Sequence, residues 1–263
     1  MMSRFVWVWA TVMLVAGWWA PGASAGEVTI AAASDLNFAF KEVIAAYEQQ
    51  TGHHVKLSLG SSGNFYAQIQ NGAPFDLYFS ADIGYPKKLI ESGQALADSL
   101  YAYAIGRIVV WVPNESRLDV EQKGLAVLTD PAVRKIAIAN PKHAPYGRAA
   151  VSALEHEQLH AAVQDRLVFG ESVSQAAQFV QSGAADVGIV ALSLAKAPVM
   201  AASGRYWEVP ASFHPPLEQG AVIVKTRLHQ VEAKSFLQFL QSVQGQEIMR
   251  RFGFVVSQPV AVP

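Results

Sequence analysis

Small polar residues follow an apolar segment near the start of the chain, and their position suits the binding of an anion. The apolar segment 28–33 ends in Ser34 and Asp35, and Phe40 and Val43 then recur at the spacing of an amphipathic helix. Ser34 or Asp35 therefore occupies the position of a helix N-cap. Free backbone N–H groups converge at such a junction, and the helix dipole favours negative charge there. We expect the junction to form half of an anion-binding site.

The same arrangement occurs twice more in the first third of the chain. Gly60-Ser61-Ser62-Gly63 follows the strand pattern 55–59, and Ser80 follows the strand pattern 75–79. Strands that each lead through a small polar turn into a helix indicate a parallel α/β sheet, and ligands bind beyond the carboxyl ends of such strands. The alternative for these serines is simple N-capping. Neither a P-loop lysine nor a nucleophile elbow accompanies them.

The segment His156-Glu157-Gln158-Leu159-His160 matches the zinc-hydrolase pattern H-E-x-x-H. On one helix the two histidines would share a face, with Glu157 as general base. No third ligand follows at the expected distance, so a solvated helix end is the alternative. The remaining histidines, His143 among them, are scattered and are interpreted as surface residues.

The second half of the chain continues the alternation of strands and helices. A long buried strand is predicted at 105–112, and shorter ones at 136–139, 187–190 and 221–224. One long apolar helix is predicted at the end of the chain, up to Gly253. Such a helix needs a sheet to cover, so we expect the chain to return to the first sheet and to form two lobes with a cleft.

The first residues have the pattern of an export signal. Arg4 precedes an uncharged apolar run from Phe5 to Trp19, and Ala23-Ser24-Ala25 fits a signal peptidase site, which predicts cleavage after Ala25; an uncleaved anchor is the alternative. The chain has no cysteine and a net charge of −1. This composition excludes disulfides and thiolate metal sites, and it argues against nucleic acid as a partner.

Six ordered blocks resemble the periplasmic molybdate-binding proteins of ATP-binding-cassette importers. They are Ile-Ala-Ala-Ala-Ser-Asp-Leu (30–36), Gly-Ser-Ser-Gly (60–63), Gly-Ala-Pro-Phe-Asp-Leu-Tyr-Phe-Ser-Ala-Asp (72–82), Asn-Pro-Lys-His-Ala-Pro-Tyr-Gly (140–147), Gly-Ile-Val (188–190) and Arg-Arg-Phe-Gly-Phe (250–254). The resemblance implies an α/β, two-lobed periplasmic binding protein fold of type II. Each lobe would be a mixed, mainly parallel sheet flanked by helices, and the lobes would close on molybdate or tungstate.

The resemblance also implies which residues bind the oxyanion. Ser34 and Ser62 would offer hydroxyl groups, while Asp35, Tyr146 and Val173 would offer backbone N–H groups. A pocket of neutral donors at helix starts suits a dianion that has no proton to donate. We expect the Asp35 carboxylate to turn away and cap the helix, because its charge would repel the ligand.

Ligand selectivity would depend on the residue after the Gly-Ile-Val strand and on the size of the cavity. Some family members have a ligand-binding Tyr directly after the Gly-Ile-Val strand, where this chain has Ala191; the Tyr146 hydroxyl is a candidate substitute. Sulfate presents the same acceptors as molybdate, so discrimination would come from cavity size.

Taken as a whole, the sequence predicts a binding protein and not an enzyme. Residues 1–25 are the signal peptide, 26–105 with 222–263 form lobe 1, and 106–221 form lobe 2. The protein is expected in the periplasm as a monomer, without a cofactor or zinc site and without membrane insertion after cleavage, with an oxyanion ligand and a membrane permease as partners. The alternatives are a binder of sulfate or phosphate and a zinc-dependent hydrolase using His156, Glu157 and His160.

Overall fold

Two five-stranded sheets organise the computed structural model, which describes residues 26–225 and 229–256. The strands β1 to β10 are, in chain order, Glu27–Ala33, His54–Gly60, Leu77–Ser80, Tyr101–Gly106, Ile108–Pro113, Ile136–Ala139, Leu167–Gly170, Val187–Ala191, Gly204–Glu208 and Leu217–Ile223. The α-helices α1 to α11 are Asn37–Thr51, Ser62–Gln70, Gly84–Glu91, Val120–Lys123, Pro145–His156, His160–Val163, Val173–Gln181, Leu192–Ala195, Pro198–Ser203, Gln230–Gln241 and Val243–Arg251. The predicted signal peptide lies outside the described residues.

The first sheet has the strand order β2-β1-β3-β10-β4. Strand β1 pairs in parallel with β2 and β3, whereas β10 runs antiparallel to both of its neighbours. Four successive residues of β1, from Ile30 to Ala33, are buried, as expected for a strand covered by helices on both faces. The carboxyl ends of β1, β2 and β3 therefore meet at one edge, as predicted.

The second sheet repeats this plan with the order β7-β6-β8-β5-β9. Strand β6 pairs in parallel with β7 and β8, and β5 is antiparallel to β8 and β9. The two-lobed α/β prediction is confirmed, although each sheet has as many antiparallel as parallel pairings. Strand β9 was not predicted, because its sequence Gly-Arg-Tyr-Trp-Glu lacks an apolar alternation.

The predicted lobe boundary at 221/222 falls inside strand β10. Strand β10 begins at Leu217 and pairs with β3 and β4, so it belongs to the first sheet. Pro215 and Pro216 precede it, and Glu218 and Gln219 interrupt its apolar pattern, which is why the sequence indicated only its second half. By sheet membership, lobe 1 contains β1–β4 and β10, and lobe 2 contains β5–β9.

Two predicted elements are each divided in the structure. The long strand at 105–112 is β4 and β5, separated at Arg107, where the chain passes from one sheet to the other. The single last helix is α10 and α11, because Ser242 starts a new helix by accepting a hydrogen bond from the Gly245 N–H at 3.2 Å.

The last helices pack on lobe 1, which confirms that the chain returns to the first sheet. Phe236 of α10 is fully buried and makes edge-to-face contacts with Phe40, Tyr47 and Phe79, at centroid distances of 5.9, 5.1 and 5.9 Å. Across the described residues, every helix is too short or too polar to cross a membrane.

Replacing Phe236 with Ala tests this packing. The free energy of unfolding should fall by about 3–5 kcal/mol, because the change removes a buried ring and leaves a cavity. Urea denaturation gives the value. The control is Val231→Ala on the same helix, which should stay within about 0.5 kcal/mol because Val231 is 76% exposed. Equal losses for the two variants would contradict the role of Phe236 in holding α10 to lobe 1.

Candidate functional site

The five residues predicted to bind an anion each occupy the first or second position of a helix. Ser34 and Asp35 begin the 3₁₀-helix Ser34–Leu36, Ser62 begins α2, Tyr146 is second in α5 after Pro145, and Val173 begins α7. Backbone N–H groups at these positions have no partner within their own helix, and the helix dipole favours an anion beside them.

N-cap serines and a proline define where three of these helices begin. Ser61 caps α2 by accepting from the Asn64 N–H at 3.4 Å, and Ser172 caps α7 by accepting from the Gln175 N–H at 3.3 Å. Pro145 at the first position of α5 suits a helix start, because its missing N–H would have no intrahelical partner. The capping interpretation thus holds for Ser61, which precedes the predicted site residue Ser62.

A small cavity brings the five predicted residues together. Its lining comes from both lobes and consists of Ala33, Ser34, Asp35, Gly60, Ser61, Ser62, Ala81, Ala144, Pro145, Tyr146 and Val173. No Lys, Arg or His belongs to this lining in the described part of the chain. Ser80 lies at the same sheet edge, but its hydroxyl is bonded to the backbone of Asp82.

Both predicted serine hydroxyls accept a backbone hydrogen bond. The Ser34 Oγ accepts from the Ser174 N–H at 3.2 Å, and the Ser62 Oγ accepts from the Ala81 N–H at 3.0 Å. A serine hydroxyl that accepts one bond still has its own hydrogen to donate. These bonds therefore hold each oxygen in place and leave its O–H group available to an anion.

The Asp35 carboxylate does not cap a helix, and that prediction is wrong. Its Oδ2 accepts hydrogen bonds from the Tyr146 hydroxyl at 3.0 Å and from the Gln219 Nε2 at 2.8 Å. The side chain is buried, and desolvation raises its pKa to about 7, although the bonds from Gln219 and Tyr146 act in the opposite direction. The 3₁₀-helix and α1 have no side-chain cap at their starts.

The Tyr146 hydroxyl is occupied by this network, which corrects its suggested role as a ligand donor. It donates to Asp35 and accepts from the Gln219 Nε2 at 3.0 Å. Burial, and next the nearby Asp35 carboxylate, keep the pKa of Tyr146 well above its usual value, so the phenol stays protonated. Ala191 is buried at the end of β8 and does not line the cavity.

Further hydrogen bonds join the lobes around the cavity. Ser174 donates its hydroxyl to the Ser34 carbonyl at 2.8 Å, and Ser193 donates to the Asp35 carbonyl at 2.7 Å. An ion pair between Arg148 of α5 and Asp82 of lobe 1, at 2.6 Å, lies on one side.

His143 joins the lobes on the other side of the cavity, so its interpretation as a scattered surface residue is wrong. Its Nδ1 lies 2.8 Å from the Ser61 Oγ, and its carbonyl accepts from the Gly63 N–H at 2.9 Å. The Nε2 of the same ring lies 3.4 Å from a carboxylate oxygen of Glu171.

The interlobe residues were missed because their signals are long-range. Arg148, Ser174 and Ser193 lie on helices where any polar residue is ordinary. Gln219 is a polar residue in a strand whose other residues, apart from the exposed Glu218, are buried, and it is itself fully buried. A buried amide requires partners, and the Gln219 Nε2 finds them in Asp35 and Tyr146.

The H-E-x-x-H match does not form a metal site. Helix α5 ends at His156, Gln158 adopts the left-handed φ of 57°, and His160 begins α6, so the two histidines share no helix face. His156 instead stacks on Phe213 at a centroid distance of 4.3 Å. Within residues 26–225 and 229–256, no group of His, Cys, Asp and Glu could hold a metal ion.

Two α/β lobes with helix starts directed at a common cavity define a two-lobed binding protein. The family model for bacterial extracellular solute-binding proteins matches residues 28–255. The chain therefore belongs to this family, whose members bind solutes for transport and are not enzymes. The zinc-hydrolase alternative is not favoured.

The sequences of two relatives align with nearly the whole length of this chain. The molybdate-binding protein ModA of Rhodobacter capsulatus is 40% identical over 233 residues, or 89% of this chain and 90% of that protein. ModA of Azotobacter vinelandii is 38% identical over 243 residues, or 92% and 95%. The solved structure of the Azotobacter vinelandii periplasmic molybdate-binding protein matches with a TM-score of 0.80 at 37% identity, over 88% of this chain and 100% of that one.

Gly147→Ala tests how closely α5 approaches the sheet that positions Tyr146. A methyl group at Gly147 would collide with the carbonyl oxygen of Ala139 in β6. The free energy of unfolding should fall by about 1–3 kcal/mol, as for other overpacked sites. Thermal and urea unfolding provide the measurement, with exposed Glu155→Ala on the same helix as the control. A Gly147→Ala protein as stable as that control would show that the helix can shift freely.

Proposed function

We propose that this protein captures molybdate, or tungstate, in the cavity between its lobes and delivers it to the membrane permease of an ATP-binding-cassette importer. The observation that carries the proposal is the convergence of Ser34, Asp35, Ser62, Tyr146 and Val173, all at helix starts, on one cavity. The names of the relatives at 38–40% identity support molybdate as the ligand.

The donors available suit a tetrahedral dianion. Asp35, Tyr146 and Val173 offer backbone N–H groups, and Ser34 and Ser62 add hydroxyl hydrogens. Neutral donors at helix starts satisfy acceptor oxygens without a buried cation, which would be costly once the ligand had left. The anion in turn gives these buried donors the partners that the fold does not supply.

Export is part of the proposal. The signal pattern predicts cleavage after Ala25 and release into the periplasm, where a monomer would meet the oxyanion and then the permease. N-terminal sequencing of the secreted protein tests the cleavage position.

Calorimetric titration with four oxyanions tests the choice of ligand. Molybdate and tungstate should bind with similar affinity, and sulfate and phosphate far more weakly. The expected reasons are cavity size for sulfate and the lack of an acceptor for the phosphate proton. Sulfate binding as strong as molybdate binding would favour a general oxyanion binder, and no response to molybdate would refute the proposal.

Ser34→Ala and Ser62→Ala test the two hydroxyl donors. Each should weaken molybdate binding by about 1–3 kcal/mol, the usual contribution of a hydrogen bond to a charged group. The matched control is Ser152→Ala, because Ser152 lies on α5 and lines a neighbouring groove instead of the cavity. Wild-type affinity in both site variants would remove these hydroxyls from the site.

A further inference from the structure

Asp35 carries a buried titratable group that the proposed binding chemistry does not use. Its backbone N–H is assigned to the anion, but its carboxyl lies beside the same cavity and is 1% exposed. An ionised carboxyl there would repel a dianion, and its charge would be poorly screened because the side chain is buried.

Every group that hydrogen-bonds this carboxyl is neutral. Its Oδ2 accepts from Tyr146 of α5 and from Gln219 of β10, and Tyr103 of β4 is the further titratable group that faces it. The pKa values of both tyrosines are raised well above their usual value, by burial first, so both are uncharged. Among the described residues, no Lys, Arg or His side chain forms an ion pair with Asp35.

The two carboxyl oxygens of Asp35 are not equivalent. Oδ2 has two donors, whereas Oδ1 is buried without a hydrogen-bond partner in the described part of the molecule. A neutral carboxylic acid costs less in this environment, because Oδ2 remains an acceptor for both donors and the unpaired Oδ1 hydroxyl carries no charge. An ionised carboxylate would leave a charged oxygen buried and unpaired, which is far more costly.

This environment exists only while the lobes are in contact. Tyr146 belongs to lobe 2, and Asp35 and Gln219 belong to lobe 1. If the lobes part, Asp35 loses the Tyr146 hydroxyl and gains water, so its pKa returns towards about 3.9. A group whose pKa differs between two states couples the equilibrium between them to pH.

We propose that closure of the lobes on the anion is coupled to the uptake of one proton by Asp35. The resulting neutral acid accepts the Tyr146 hydroxyl bond and so positions the Tyr146 N–H against the anion. This inference rests on the proposed function, since it concerns the same cavity and takes a dianionic oxyanion as its ligand.

The sign of the expected pH dependence follows from the closed-state pKa of about 7. Closure binds a proton between the open-state and closed-state pKa values, so affinity rises as pH falls through 7. Each pH unit below 7 contributes about a factor of ten. Molybdate should therefore bind about 30-fold more tightly at pH 5.5 than at pH 9.

The test is calorimetric titration of the whole mature protein with molybdate in pairs of buffers of different ionisation enthalpy. At pH 7 the wild type should take up at least about half a proton per anion, and at pH 9 almost none. This count requires no variant, so it remains informative even if a substitution at Asp35 prevents folding.

Variants then assign the proton to its site. Asp35→Asn should bind molybdate with an affinity that changes less than about threefold between pH 5.5 and 9, and without proton uptake. Tyr146→Phe removes one donor to Oδ2, so it should move the midpoint of the pH profile upwards. Ser152→Ala is the control, because Ser152 lies on α5 with Tyr146 but has no titratable side chain and lines a neighbouring groove instead of the cavity.

The outcomes separate this inference from the proposed function. Tight molybdate binding without proton uptake would overturn the coupling and leave the function intact. Uptake that persists in Asp35→Asn would overturn the assignment to Asp35. An absence of molybdate binding at every pH would overturn the proposed function, and the coupling with it.

Discussion

Helix starts from both lobes that converge on one cavity are the constraint on which the rest of the structure depends. A buried polar group without a partner is costly, so a fold that collects several of them needs something to satisfy them. Here the groups belong to four helix starts, and each helix is fixed by the strand that leads into it. The parallel strands of both lobes therefore determine where the donors lie.

The same residues also hold the lobes together. Ser34 is bonded to Ser174, the Asp35 carbonyl to Ser193, and the Asp35 carboxyl to Tyr146. A displacement of one lobe would therefore disturb the cavity and the interlobe contacts at the same time. Because of this sharing, the proposed anion site and the closed arrangement of the lobes depend on each other.

Local patterns were sufficient to predict the elements around the cavity. The change from apolar strand to small polar turn at Ser34 and Ser62, and the proline at the start of α5, can be recognised from neighbouring residues alone. The same approach failed at β10, where Glu218 and Gln219 obscured the strand, and at α11, where a capping serine lies within a helical periodicity. At β10 the pairing with β3 and β4 outweighed the local signal, whereas at α11 the Ser242 cap interrupted the helical periodicity.

Side-chain partners across the cleft could not be predicted in this way. Asp35 was expected to cap a helix because aspartate at a helix start usually does so. Its actual partners, Tyr146 and Gln219, are 111 and 184 residues away in sequence. Only the folded chain brings them together, and the same separation explains why His143 was assigned to the surface.

The modest strength of the interlobe contacts suits a protein that must release its ligand. Those nearest the cavity are a few individual hydrogen bonds, and those between neutral groups each have a net contribution of about 1 kcal/mol. The Arg148–Asp82 pair is partly exposed, so its contribution is of similar size or smaller. Because these contacts are weak, the binding free energy of one anion is enough to shift the equilibrium from open to closed lobes. The hydrogen bonds of the anion to both lobes form only in the closed state. A cation in the cavity would attract any anion in either state, whereas neutral donors contributed by both lobes make tight binding conditional on closure.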